Sequence, residues 1–301
     1  MERWRKENSI NTEQWIDQCE KDFFRRLDDV AEQLCTSNRR LIRLSGPTCS
    51  GKTTAAALLT DRFAKFGKQM HLISIDDFYY DKEILHATAI DHESGKVDYD
   101  SVKTIDLAAL GRFIEDVFTK NQSRCPIFDF KEGRRVGYRM LESGKDDVFV
   151  FEGIQAVYPE VTNLIERAGH DSIGVYIAPR RTIEIGGESF APNEIRLLRR
   201  LVRDYNFRGA DPDFTFGLWM GVRANEEAHI FPYASDCACQ IDSVMPYEIG
   251  VLKPYLERIL PMVPTDSPNY SKSKAILDKI AKVEPISDQL IPKNSLYREF
   301  I

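Results

Sequence analysis

The chain has 301 residues, of which 43% are hydrophobic and 11% aromatic, and its 41 Lys+Arg against 47 Asp+Glu give a formal charge of -6. This composition is typical of a soluble globular protein and excludes a disordered chain. The acidic balance argues against a nucleic-acid polymer or an anionic membrane as partner, because such binders need surplus basic charge to displace counterions.

Cysteine content and the N-terminus indicate the compartment. Six cysteines in a chain of this length do not make a disulfide framework, and reduced thiols in a cytosol are the simpler interpretation. Residues 1–11 contain no apolar run of signal-peptide length, and no stretch approaches the roughly 18 apolar residues of a membrane span. We therefore expect a cytoplasmic protein with no membrane partner. Assembly into a homo-oligomer is compatible with the sequence.

The predicted elements begin with a helix. Over residues 13–34 apolar side chains recur at helical spacing, which predicts an amphipathic helix within an N-terminal extension, residues 1–38. In the body of the chain, residues 39–262, short apolar strands alternate with helical runs. Such alternation predicts an α/β fold, a mostly parallel sheet flanked by helices. Residues 263–301 are predicted to form a linker and a helical C-terminal tail.

The body contains five predicted strands and, besides a later arginine-rich helix, two predicted helices. A long polar connection over residues 80–102 separates the strand over 70–75 from the helix over 105–119. A connection of that length in a compact domain is more often a binding loop than a plain linker. The strands are expected over 41–44, 70–75, 126–130, 148–151 and 173–178, and the helices over 52–66 and 105–119.

A phosphate-binding motif lies between the first strand and the next helix. Residues 46–53, GPTCSGKT, match GxxxxGK[ST]. The glycines permit a turn whose N–H groups face phosphate oxygens, and the positive end of the helix adds to the attraction. In such loops the lysine, here Lys52, contacts the β- and γ-phosphates, and the hydroxyl, here Thr53, ligates Mg²⁺. The alternative is an ordinary glycine-rich turn, against which the flanking strand and helix argue. The residues expected to hold the triphosphate are Gly46, Pro47, Thr48, Cys49, Ser50, Gly51, Lys52, Thr53 and Thr54.

An acidic residue ends the apolar strand over 148–151. Glu152 at that position is suited to hold Mg²⁺ or a water bound to it, although a solvated strand-end glutamate is the alternative. No Asn in the chain is followed by Lys, so the NKxD motif of GTPases is absent. A single acid also fits helicase-type motors poorly. These features favour phosphoryl transfer to a small molecule.

Two adjacent carboxylates follow the second strand. Asp76 and Asp77 lie at the carboxyl edge, where open α/β sheets bind ligands, and a carboxylate there can accept the proton of an attacking hydroxyl. Asp76 is nearer the phosphate loop, whereas Asp77 is suited to cap the next turn. We favour Asp76 as the catalytic base, and we regard it as a further candidate ligand of Mg²⁺.

Four arginines form a basic stripe on one predicted helix. Arg196, Arg199, Arg200 and Arg203 fall at i, i+3, i+4 and i+7, one face of a helix. The alternative is a solvated surface face. Because few acids neighbour these residues in a net-acidic chain, we expect an anionic partner, and a triphosphate suits guanidinium groups. At least one of Arg200, Arg203 and Arg208 is expected to contact phosphate.

Taken together, the motifs resemble the uridine kinase and phosphoribulokinase family. The resemblance runs from about residue 41 to 260 and is nearest to bacterial uridine kinase-like nucleoside kinases, on residues 211–233 and the C-terminal 291–301. It implies a P-loop NTPase fold and an ATP- and Mg²⁺-dependent phosphotransferase with an alcohol acceptor, usually the 5′-OH of a nucleoside such as uridine or cytidine. The motifs are the phosphate loop and the segments DDFY (76–79), VDY (97–99), PIFDF (126–130), FEGI (151–154) and RDYNFRG (203–209).

The same resemblance implies individual roles. The catalytic residues are Asp76, Lys52 and Arg203, with Glu152 associated with Mg²⁺. Tyr79 belongs to the nucleoside pocket, Asp98 to the ribose hydroxyls, and Phe128 stands in the place of a Tyr-Asp-Phe tyrosine. The lid arginines are Arg200, Arg203 and Arg208.

Departures from the family keep two alternatives open. Gly133 and Ala210 stand where uridine kinases have a base-contacting His and a further lid Arg. One alternative is an ATP-binding regulatory protein of the same fold. The other is a phosphosugar or vitamin kinase, phosphoribulokinase- or pantothenate kinase-like, for which Arg135 is a candidate substrate residue.

Overall fold

A five-stranded parallel sheet lies at the centre of the computed structural model, which describes residues 11–88 and 99–301. Its strands are short runs rich in β-branched and aromatic residues, which pack well when both faces of a sheet are buried. The sheet confirms the predicted α/β class. The strands are β1 Leu41–Ser45, β2 Met70–Ser74, β5 Val148–Glu152, β6 Ser172–Ala178 and β9 Cys239–Asp242.

The order of strands places the phosphate loop at the middle of one sheet edge. The order is β2-β5-β1-β6-β9, and every neighbouring pair is parallel. The loop after β1 therefore lies at the carboxyl edge between the loops that follow β5 and β6. The strand expected over 126–130 forms a separate hairpin instead. Outside the sheet, β3 Gln122–Asp129 pairs with β4 Arg134–Glu142, and β7 Ile183–Ile185 pairs with β8 Glu188–Phe190.

Helices cover both faces of the sheet. Val148 and Val150 belong to one buried cluster, whereas Phe149 and Phe151 belong to another. Successive residues of a strand point to opposite faces, so the two clusters are the two sides of the sheet. The helices are α1 Thr12–Thr36, α2 Lys52–Lys65, α3 Lys82–Thr88, α4 Leu107–Lys120, α5 Pro159–Arg167, α6 Pro192–Arg208, α7 Pro212–His229, α8 Phe231–Ala234, α9 Glu248–Ile259 and α10 Tyr270–Ile280.

The helix expected over residues 13–34 is present as α1. It begins with a capping box, in which the Asn11 side chain accepts the N–H of Gln14 and the Gln14 side chain accepts the N–H of Asn11. Its apolar face, including Phe23 and Leu27, is buried in the same cluster as the valines of β5. The N-terminal helix therefore packs into the core of the sheet.

The end of the chain packs into the same core. After α10 the chain continues in short 3₁₀ turns, and Leu296, Tyr297 and Phe300 are fully buried. Glu20 of α1 is buried beside them and accepts a hydrogen bond from Ser295 Oγ at 2.5 Å. In the part of the chain that the structure describes, no helix combines the length and apolar character that crossing a bilayer requires.

Candidate functional site

The phosphate-loop motif forms the turn from β1 into α2, and two of its positions require glycine. Gly51 caps α2 with φ 90°, and a Cβ there would lie 2.6 Å from Leu296 Cδ1. A Cβ on Gly46 would lie 2.1 Å from the carbonyl oxygen of Ile177 and 2.8 Å from Ser50 Oγ. The loop therefore has a fixed, tightly packed backbone.

The loop fits a triphosphate. Ser50 Oγ is buried and has no hydrogen-bond partner among the described residues. The Lys52 ammonium donates to the carbonyl oxygen of Pro47 at 3.3 Å, which holds its charge over the loop, and Thr53 is exposed. An unsatisfied hydroxyl, a lysine and the positive end of α2 together form an environment that favours phosphate oxygens.

Two carboxylates lie beside this loop at the carboxyl ends of neighbouring strands. Glu152 ends β5 in register with Leu44 of β1, and Asp76 lies in the turn after β2. Burial raises the pKa of Asp76 to about 6 and that of Glu152 to about 7, and the Lys52 charge opposes both shifts. The Asp76 charge also raises the pKa of Glu152. The structure thus brings these three predicted site residues together.

Asp76 and Asp77 have different partners. Asp77 Oδ1 accepts the backbone N–H of Phe128 at 3.3 Å, which ties the turn after β2 to β3. Asp76 faces Lys52 of the phosphate loop instead. Asp77 therefore has a structural hydrogen bond, whereas the Asp76 carboxylate lies near the Lys52 charge and the Tyr79 side chain.

Aromatic side chains lie beside Asp76, and burial together with the Asp76 charge raises the pKa of Tyr79. The Tyr79 hydroxyl donates to the carbonyl oxygen of Tyr99 at 2.6 Å. The rings of Phe128 and Phe130 lie edge-on to Tyr79, with centroids 5.6 Å and 5.9 Å away. Phe128 is buried, whereas Phe130 is 63% exposed, so only one of these two alternating residues is a core residue.

Gln155 is a site residue that the sequence reasoning missed. It lies in the 3₁₀ turn after Glu152, is fully buried, and its Nε2 donates to the Tyr79 hydroxyl at 3.3 Å. Its Oε1 has no hydrogen-bond partner within the described ranges. A polar residue between the apolar Ile154 and Ala156 was the signal that could have revealed it.

Arg135 and Asp98 are two further residues expected to contact the substrate. The Arg135 guanidinium donates to the carbonyl oxygens of Phe78 and Tyr79 at 3.0 Å and 3.1 Å, and it pairs with Asp106 at 3.2 Å. These bonds fasten the β3–β4 hairpin to the turn after β2. Asp98, the expected ribose ligand, lies outside the described residues.

The expectation that few acids neighbour the arginines of α6 is wrong. Arg196 pairs with Glu226 at 2.6 Å, and Arg199 pairs with Glu248 at 2.6 Å, with all four side chains buried. The two acids come from α7 and from the start of α9, so spacing along α6 could not reveal them. Both arginines stabilise the interior around the phosphate loop, since Arg196 also donates to the carbonyl oxygen of Thr48 at 3.1 Å.

The other three arginines share one carboxylate. Asp204 pairs with Arg200 at 3.2 Å, with Arg203 at 2.7 Å and with Arg208 at 3.7 Å. Arg203 lies near Cys49 of the phosphate loop, whereas the Arg208 side chain is 61% exposed. The stripe thus lies beside the loop with its charge partly neutralised, and Asp204 was visible in the sequence one residue after Arg203.

A metal ion at this site would depend on the nucleotide. Across residues 11–88 and 99–301 there is no group of three or more His, Cys, Asp or Glu side chains arranged to hold a metal. Mg²⁺ in phosphoryl-transfer sites is usually bound by one or two carboxylates, waters and substrate phosphates. Thr53, Glu152 and Asp76 fit that mode of binding.

Comparisons with known proteins identify a family and several similar chains. The family model described as "Phosphoribulokinase / Uridine kinase family" matches residues 41–249. A uridine kinase of Clostridium novyi is 27% identical over 183 residues, 60% of this chain and 76% of that protein. The Arabidopsis thaliana protein named inorganic pyrophosphatase TTM2 is 25% identical over 173 residues, 58% of this chain, and the match spans only 21% of its length. A solved structure of D-glycerate 3-kinase from Cryptococcus neoformans has a TM-score of 0.47 and 16% identity, over 72% of this chain and 88% of that one.

Proposed function

The chain belongs to the phosphoribulokinase and uridine kinase family, and from that premise we propose that it transfers the γ-phosphate of ATP to the 5′-hydroxyl of a nucleoside of the uridine or cytidine type. One observation carries the proposal. Lys52 of the phosphate loop, Asp76 and Glu152 lie together at the carboxyl edge of the sheet, beside the aromatic side chains of Tyr79 and Phe128.

The residues of the phosphate loop bind and orient the nucleotide. When bound, ATP with Mg²⁺ supplies the phosphoryl group and the metal charge. The backbone of residues 46–54 holds the phosphates, and Lys52 neutralises part of their charge. Thr53 and Glu152 would hold the ion. Arg203, beside the loop, adds positive charge where the transferred group is most anionic.

Asp76 is the proposed base. It lies near both Lys52 and the Tyr79 side chain, and burial raises its pKa to about 6. A base with a pKa near the working pH is well placed to take the proton of an attacking hydroxyl. Asp77 is excluded from this role in the proposal because it accepts the N–H of Phe128.

The side chains around Asp76 favour an uncharged acceptor. The rings of Tyr79 and Phe128 are apolar and pack edge-on to each other, and the hydrogen bond from Gln155 fixes the Tyr79 hydroxyl. Arg135 is the residue expected to bind an anionic acceptor, but its guanidinium donates hydrogen bonds to Asp106 and to two carbonyl oxygens. The environment therefore supports a nucleoside over a phosphosugar.

ADP release tests the proposal. The purified chain with Mg-ATP is screened against uridine, cytidine, ribulose 5-phosphate and pantothenate, with Lys52→Ala as the inactive control. We expect release that a pyrimidine nucleoside stimulates and that the control lacks. Stimulation by a phosphosugar or by pantothenate alone would assign the chain an acceptor of another class. These acceptors are included because Gly133 stands where uridine kinases have a base-contacting His.

One observation favours a second candidate, an ATP-binding regulatory protein. Arg196, Arg199 and Arg203 all have carboxylate partners, which leaves less free positive charge for a transferred phosphate. Tight ATP binding without release stimulated by any acceptor would establish this candidate.

The proposal also retains the division of the chain by role. Residues 39–262 are the kinase domain, and residues 1–38 and 263–301 are flanking segments. Phe23 of α1 and Phe300 near the C-terminus are both fully buried in the core cluster that contains Val150. That shared core supports the view that the flanking segments stabilise the domain.

A further inference from the structure

The C-terminal residues 295–300, here called the C-terminal segment, lie against the phosphate loop. The Leu296 side chain occupies the space beside Gly51, where a Cβ would come within 2.6 Å of it. The Thr54 hydroxyl donates to Glu299 Oε2 at 2.9 Å. The family match ends at residue 249, so these contacts come from a part of the chain outside it.

The C-terminal segment is held rigidly. Tyr297 and Phe300 are fully buried, and the Arg199 guanidinium lies over both rings, 5.9 Å and 4.9 Å from their centroids. The Tyr297 hydroxyl donates to the carbonyl oxygen of Glu248 at 3.2 Å. Arg199 also donates to the carbonyl oxygen of Cys49 in the phosphate loop at 3.2 Å. Glu299 therefore cannot move far from the loop unless two aromatic side chains leave the core.

The charge on Glu299 reaches the nucleotide site. The Glu299 carboxylate is held at the start of α2 by its hydrogen bond from Thr54. It also interacts electrostatically with Arg203. Thr54 is in the first turn of α2, at the positive end of the helix. A carboxylate already occupies part of the positive field that a triphosphate would use.

We propose that Glu299 is a residue of the nucleotide site that weakens binding of metal-free triphosphate and so makes nucleotide binding depend on a divalent cation. Two anions fixed near one helix end repel each other, and a cation between the phosphates and the carboxylates cancels most of that repulsion. The inference rests on the proposed function only in that ATP occupies the phosphate loop.

A binding titration tests the proposal. The full-length chain and Glu299→Gln are titrated with ATP by calorimetry, once with a chelator and once with excess Mg²⁺. We expect Glu299→Gln to lower the Kd for metal-free ATP about tenfold and the Kd for Mg-ATP much less, so that the ratio of the two falls. The control is Glu115→Gln, on the exposed surface of α4, which removes the same charge and should leave the ratio unchanged.

Other outcomes are equally decisive. Two results would overturn the proposal and show that the Thr54–Glu299 contact only stabilises the fold. One is an unchanged ratio of the two Kd values in Glu299→Gln, and the other is weaker binding of both forms of ATP together with a lower unfolding temperature. Glu299→Ala, which removes the charge with a different shape, must agree with Glu299→Gln and replaces it if the latter does not fold. If the wild-type chain binds ATP but transfers no phosphate, the proposed function fails and this inference still stands or falls by the ratio. A wild-type chain that binds no ATP overturns both.

Discussion

Arg199 and Glu248 form an ion pair in which Nε lies 2.6 Å from Oε2 and both side chains are fully buried. Arg199 also donates to the carbonyl oxygen of Ser243 at 2.7 Å and to that of Cys49 at 3.2 Å. The pair therefore connects the loop after β9 to the phosphate loop. A buried charge without its partner is costly, so the integrity of this region depends on both members.

Breaking this pair should destabilise the fold. Glu248→Gln leaves the Arg199 charge buried and unpaired, and we expect a loss of about 3–5 kcal/mol in the free energy of unfolding, measured by urea denaturation. The control is Asp22→Asn, which breaks the exposed pair with Arg25 and should cost less than about 1 kcal/mol. Equal, small losses in the free energy of unfolding of both variants would contradict the prediction that the buried Arg199–Glu248 pair stabilises the fold.

Removing the lysine of the phosphate loop should abolish activity without unfolding the chain. Lys52→Ala loses the charge that faces both Asp76 and Glu152, and we expect ADP release to fall at least about a hundredfold. Lys65→Ala, at the exposed end of the same helix, should keep wild-type turnover. Comparable turnover in the two variants would place the phosphate site elsewhere.

The two neighbouring aspartates should separate by role. Asp76→Asn removes the proposed base, and we expect kcat to fall about 10²- to 10⁴-fold while the Kd for Mg-ATP changes far less. Asp77→Asn keeps an oxygen that can accept the Phe128 N–H, so its kcat should stay close to that of the wild type. The reverse pattern in steady-state kinetics would assign the base to Asp77.

Activity should have an acid limb near neutrality. Asp76 must be ionised to accept a proton, and burial raises its pKa to about 6. Because protonation removes the base, kcat/KM should fall about tenfold per pH unit below that value and level off above it. A pH profile that stays flat down to about pH 4 would contradict the assignment.

Ionisation of Glu152 should make the folded state less stable as the pH rises, whereas an ordinary paired carboxylate makes it more stable. Burial raises its pKa to about 7 in the folded protein, so between roughly pH 4 and 7 the folded state binds more protons than the unfolded state. Its contribution is favourable at low pH and is lost as the pH rises through this window. Glu152→Gln should therefore be more stable than the wild type at pH 8, with no difference at pH 4, in thermal unfolding.

Asp213, a carboxylate with a lowered pKa, provides a control, because its effect on stability should change with pH in the opposite direction to that of Glu152. Hydrogen bonds from Ser267 and Asn269 lower the pKa of Asp213, so its contribution is present at neutral pH and is lost as the pH falls. Asp213→Asn should therefore be less stable than the wild type at pH 8. The same sign in both variants would contradict the burial of Glu152.

Much of the fold could be predicted because its signals are local. Apolar runs over 41–44 and 148–151 coincide with β1 and β5, and the helical period over 13–34 with α1. The run over 126–130 is also a strand, but it pairs with β4 in a hairpin outside the sheet. An apolar run indicates extended backbone and burial, yet it carries no information about which strand lies beside it.

At the site, too, local features could be predicted from the sequence, whereas contacts between distant residues could not. The phosphate loop is determined by consecutive residues, because a glycine at φ 90° and a helix that begins at Lys52 follow from local backbone geometry. The stripe of arginines on α6 was also correctly placed on a helix. What spacing could not show was that Glu226 and Glu248, 30 and 49 residues beyond their partners, neutralise two of them.

The sequence by itself therefore determined the α/β class and the position of the phosphate loop, since both depend on residues that are neighbours in the chain. Only the tertiary structure decided which charges are paired and which carboxylates lie beside the phosphate loop. Thr54 and Glu299 are separated by 245 positions and joined by a 2.9 Å hydrogen bond. Electrostatic energy and burial depend on distance through space, and that distance is set only when the whole chain has folded.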